Sequence, residues 1–87
     1  MDNFDKTMFF DNEKSNLEVK KEYIQSILKE VYQALVEKGY DPIKQLVGYV
    51  ISGDPTYITN YKNARALIGS MDRDELLEQM IRKYLGI

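Results

Sequence analysis

The side chains able to do chemistry in this chain are carboxylates, hydroxyls, amines and guanidinium groups, because Cys, His and Trp are absent. That removes disulfides and thiolate nucleophiles, triads and general bases centred on imidazole, and zinc sites, which are built mainly from Cys and His. Four acids, Asp72, Asp74, Glu75 and Glu78, crowd what reads as one helix start. Carboxylates take up acid–base work when burial pushes their pKa values apart. At a helix N-terminus they complement the macrodipole and stay wet, so the chain is not read as an enzyme. Lys62, Arg65 and Arg73 form a second group. Guanidinium forks suit a carboxylate or phosphate on another molecule, and the competing reading is a solvated face worth little. These three are the candidate partner-binding residues. Five glycines are scattered, none in a phosphate-cradling loop after a strand. No cofactor or metal is expected.

Thr7 is the hydroxyl of most interest. It lies in residues 1–16, which carry four acids and two bases around Phe4, Met8, Phe9 and Phe10 without a usable period. That composition reads as a flexible N-terminal arm with a sticky aromatic patch. A phosphate on Thr7 adds about −1.5 to −2 charge, roughly doubling the arm's own −2.

Residues 17–87 must position the rest. Ser15-Asn16-Leu17-Glu18 fits a capping box, opening a helix to about Lys38. Tyr23, Ile24, Ile27, Leu28, Val31, Tyr32, Ala34 and Leu35 fall on one arc of it. Gly39 can take positive φ as its C′ residue, with Tyr40 as the apolar contact. Asp41-Pro42 caps and starts a second helix. Ile43, Leu46, Val47, Tyr49, Val50 and Ile51 cover more than half its circumference, so it is expected to be central and buried on several sides. Gly53 ends it, and Asp54-Pro55 opens a single turn. A short helix from Tyr61 to Ile68 follows, capped by Asn60. The last helix begins at the Asp72 N-cap and presents Leu76, Leu77, Met80, Ile81, Tyr84 and Leu85. No strand pair with a hairpin turn is visible. The expected class is all-α: four main helices plus a one-turn helix.

Bulk properties narrow the setting. The net charge of −2 sits entirely in the first sixteen residues, since 17–53 and 54–87 each balance. That argues against nucleic-acid binding, which rests on neutralising phosphates. A helix-turn-helix DNA-binding regulator stays as the alternative, with the two helices joined near Gly69-Ser70. Its recognition helix would meet DNA with Asp72, Asp74 and Glu75 leading, which is repulsive. The N-terminus lacks a secretory pattern, and no apolar run approaches the roughly 20 residues of a membrane span. A cytoplasmic location without membrane contact is expected. About 70 residues build a core worth only about 3–5 kcal/mol without staples. A first helix of about 33 Å overshoots so small a globule. A two-fold homodimer answers both problems.

Across nearly all its length the chain resembles the IreB family (IreB/ReoM-type small regulators of Gram-positive bacteria). The resemblance rests on Phe4-Asp5-Lys6-Thr7-Met8, Glu37-Lys38-Gly39-Tyr40-Asp41-Pro42-Ile43, Gln45-Leu46-Val47-Gly48-Tyr49, Ser52-Gly53-Asp54-Pro55-Thr56-Tyr57-Ile58, Asn63-Ala64-Arg65 and Arg73-Asp74-Glu75. It implies a non-enzymatic homodimer whose arm is phosphorylated by a PASTA-domain Ser/Thr kinase and dephosphorylated by a cognate phosphatase. It also implies control of peptidoglycan synthesis and cephalosporin resistance. In ReoM-type members that control runs through Clp-protease turnover of the first committed cell-wall enzyme. Thr7 matches the family phosphoacceptor. A second acceptor that some members carry is Phe4 here, so single-site control is implied. Arg65 and Arg73 match the basic surface of ReoM-type members, whereas Asn60 and Gly69 stand where those members are basic.

Overall fold

The structure is a computed structural model that describes the backbone of residues 2–87 and the side chains of residues 18–87. Every regular element in that range is helical: α1 (Asp2–Glu37), α2 (Pro42–Ser52), α3 (Ala64–Gly69) and α4 (Arg73–Leu85), with 3₁₀ turns at Pro55–Tyr57 and Tyr61–Asn63. The all-α expectation holds. The start of α1 does not follow the capping box. The helix passes through Ser15–Glu18 instead of beginning there, since Ser and Asn lower helix propensity by only a few tenths of a kcal/mol each. The arm expected at residues 1–16, Thr7 included, lies outside the described side chains.

The core follows the arc read from periodicity. Ile24, Ile27, Val31, Ala34 and Leu35 of α1 are buried, and they meet Tyr49, Ile58, Ala64, Ile68 and Leu76 from the later elements. Tyr23 and Tyr32, at the arc's edges, are exposed. Each buried Ile or Leu contributes about 1.5–3 kcal/mol. The chain then reverses at Gly39 (φ 83). The Gly39 amide donates to the Val36 carbonyl and the Tyr40 amide to the Leu35 carbonyl, both at 3.0 Å. These are the paired bonds of a Schellman cap. Asp41 then accepts from the Ile43 and Lys44 amides at 3.2 Å, with Pro42 as the first helical residue.

Two further expectations need correction. The second helix is not buried on several sides within one chain. Tyr49 is buried, but Ile43, Val47 and Ile51 are 60%, 50% and 79% exposed. The apolar stripe exists, yet the other helices cover only one side of it. The short helix expected from Tyr61 to Ile68 is broken. A 3₁₀ turn leads into α3 through Lys62 (φ 52) and Asn63 (φ 62), both left-handed, and Asn60 makes no side-chain cap bond. Asn tolerates that region; Lys does so at a cost. The helix expected from the Asp72 N-cap is present as α4. Leu76 is buried, whereas Ile81, Tyr84 and Leu85 are exposed.

Candidate partner-binding surface

The loop from Ser52 to Ile58 organises two of the three candidate residues. The Ser52 hydroxyl donates to the Gly48 carbonyl at 2.7 Å and accepts from the Asp54 amide at 3.0 Å. Gly53 takes φ 73 and closes α2, its amide donating to the Tyr49 carbonyl at 2.7 Å. Asp54 caps the following turn, accepting from the Thr56 amide at 3.0 Å and the Thr56 hydroxyl at 2.7 Å. The Thr56 hydroxyl bond first, then the Thr56 amide bond and last the nearby charge of Arg65 lower the Asp54 pKa from its ordinary value. The Gln45 amide nitrogen donates to the Tyr57 carbonyl at 2.8 Å, and the Tyr57 ring lies over Gly48 so closely that a Cβ there would strike it.

Arg65 and Arg73 grip this loop from outside. Arg65 Nε donates to the Ile58 carbonyl at 2.8 Å, which leaves its terminal amines for other work. The Arg73 guanidinium packs on Gly53, where any Cβ would meet it. Arg73 Nη1 is buried there without a hydrogen-bond partner among the described residues. It sits by the C-terminus of α2, the partly negative end of the helix dipole. The structure thus gathers Arg65 and Arg73 on one loop and gives each an internal duty as well.

Lys62 sits apart, toward the end of α1. Its Nζ pairs with Glu37 at 3.2 Å, both side chains being largely exposed. The Glu37 hydrogen bond, then its charge, raises the Lys62 pKa. Lys62 Nζ also lies 5.4 Å from the Tyr61 ring centre, and Lys38 Nζ lies 5.0 Å from the same centre. Two ammonium groups within cation–π range of one ring make a basic rim. Lys38 belongs to it and was missed from sequence, since nothing local links residues so far apart in the chain.

The four acids of α4 do not converge on a buried site. Asp72 is the N-cap of α4, Glu75 pairs with Lys20 at 3.1 Å and Glu78 with Arg82 at 3.2 Å. Among the described residues no acid cluster could hold a metal ion, and no helix is long and apolar enough to cross a membrane.

Apolar surface gathers elsewhere. A cleft of about 320 Å³ between α1, α2 and α4 is floored by Leu28, Leu46, Val50 and Leu76. It adjoins a hollow of about 290 Å³ lined by Val50, Leu77, Met80, Ile81, Tyr84 and Leu85.

Residues 5–86 match the family described as IreB regulatory phosphoprotein. The chain belongs to the IreB family. The geometry gives a physical account of the blocks that carried the resemblance. In this IreB-family chain, the Gly-Tyr-Asp-Pro and Ser-Gly-Asp-Pro segments are helix stops and starts, and Tyr57-Ile58 seals the loop to α2 and the core.

Proposed function

We propose that this IreB-family chain is a cytoplasmic, non-enzymatic regulator of peptidoglycan synthesis and cephalosporin resistance. A PASTA-domain Ser/Thr kinase phosphorylates Thr7 in the leader formed by residues 1–16, and a cognate phosphatase reverses the change. The unmodified chain engages its target through a basic surface made of the rim of Lys38 and Lys62 together with Arg65 and Arg73 of the adjoining loop. The target is a cell-wall synthesis enzyme or the Clp-protease machinery that removes it. Phosphate on Thr7 changes that engagement by charge. The observation that carries this reading is the match to a regulatory phosphoprotein family from residue 5 onward, a range that includes Thr7.

The working unit is a homodimer. Ile43, Val47 and Ile51 recur at helical spacing and are at least half exposed, as are Ile81 and Leu85. A contiguous apolar face of this kind marks an interface, and two-fold self-association is the commonest solution.

Cephalosporin susceptibility of cells carrying wild type, Thr7→Ala or Thr7→Glu tests the proposal. The two variants are expected to shift resistance in opposite directions. If both leave resistance at the wild-type level while the protein is present in normal amount, the reading is wrong.

A further inference from the structure

A second groove, of about 380 Å³, lies between α1 and α4 and shares Leu28 and Met80 with the cleft that reaches α2. Its apolar lining is Ile24, Leu28, Met80 and Tyr84. Its polar lining is Lys21, Gln25, Gln79 and Lys83, which supply ammonium and amide groups and no carboxylate. The neighbouring cations Lys20 and Arg82 are each paired with an acid. Lys21 and Lys83 enter no ion pair among the described residues. An apolar lining with two uncommitted ammonium groups suits a segment with aromatic anchors flanked by negative charge.

This chain contains such a segment. Phe4-Asp5-Lys6-Thr7-Met8-Phe9-Phe10-Asp11 places its apolar residues between acids, and the first sixteen residues hold all the net negative charge. We propose that this groove receives the acidic, aromatic leader of a second copy of the chain, with Lys21 and Lys83 beside Thr7. The groove volume fits one or two anchoring side chains. The donor is a second copy because the leader belongs to the same helix as Lys21. Along that helix Thr7 stands about 21 Å from its own Lys21 at 1.5 Å per residue. The hollow beside Ile81 and Leu85 carries no charged lining, so it suits an apolar partner face better than an acidic segment. Phosphate on Thr7 would face two ammonium groups and tighten the docking. That phosphate dependence rests on the function proposed above; the docking of the unmodified leader does not.

The absence of native Cys allows a nitroxide to be placed by a single Asn3→Cys substitution. Unlabelled spin-carrying chain is mixed with ¹⁵N-labelled full-length chain, so that any broadening reports contact between copies. The expected result is broadening of the Ile24, Gln25, Met80 and Lys83 amides. Phosphorylating Thr7 should increase it several-fold, and added salt should reverse the increase. Lys21→Gln with Lys83→Gln should abolish the phosphate-dependent gain while the amide spectrum stays folded. Broadening centred on Ile43–Ile51, or no broadening at these groove amides, overturns the proposal. Broadening at the groove that phosphate leaves unchanged overturns the role of Lys21 and Lys83. A Thr7 that no kinase modifies would instead count against the function proposed above and leave the unmodified docking to be read directly.

Discussion

Arg65 holds the loop and, in the function proposed above, also meets the partner, so its substitutions should separate from those of Lys62. Its Nε bond to the Ile58 carbonyl is partly buried, and losing such a bond costs about 1 kcal/mol. Arg65→Ala should therefore lower the midpoint of denaturant unfolding as well as weaken partner binding. Lys62→Ala removes an exposed pair and should leave the unfolding midpoint nearly unchanged while weakening the partner alone. Equal unfolding midpoints for the two variants would contradict this division. Asp54 gives a pH prediction. Its folded pKa lies below the unfolded value because Thr56 donates to the carboxylate. Its stabilisation is therefore complete above the unfolded pKa and disappears as pH falls through the lower, folded value. Thermal melts of wild type and Asp54→Ala should differ at neutral pH and converge in acid. A gap that stays constant across that range would rule out the carboxylate as the cause.

At the scale of elements, Gly48 sets how closely the 3₁₀ turn approaches α2. Ala is the better helix former by about 1 kcal/mol, but its Cβ would run into the Tyr57 ring. Overpacking costs about 1–3 kcal/mol, so Gly48→Ala should destabilise in chemical denaturation, and a stabilised variant would contradict the packing described. The helix boundaries from Glu37 to Asp72 were largely legible in the sequence because their signals are local: Gly39 with Tyr40, Asp41 with Pro42, Gly53 with Asp54 and Pro55, and Asp72. What was not legible depends on partners distant in sequence. The left-handed pair Lys62-Asn63 has no local signature beyond Asn, and it brings Lys62 to Glu37. The apolar stripe of α2 was read correctly as a stripe. Whether its outer side meets the same chain or another copy is decided by how many helices pack around it. Arg65 and Arg73 were found as cations, but their grip on the Gly53–Ile58 loop needed the fold.

At the scale of the whole molecule, the exposed apolar face of α2 and the negatively charged leader are the two features on which the proposed function rests. Val47→Glu or Ile51→Glu alters a side chain at least half exposed in the single chain. Either should leave the helical content intact and halve the mass seen by sedimentation equilibrium; a dimer that survives both would place the two-fold contact elsewhere. In the function proposed above the leader supplies control, and Phe4 at the place of the second acceptor of some family members leaves Thr7 as the single site that proposal uses. The most direct check is to treat the purified chain with a PASTA-domain kinase and locate the phosphate by peptide mass spectrometry. A single phosphate on Thr7, absent from Thr7→Ala, is the predicted outcome. Phosphate confined to residues after Glu18, or none at all, would contradict it.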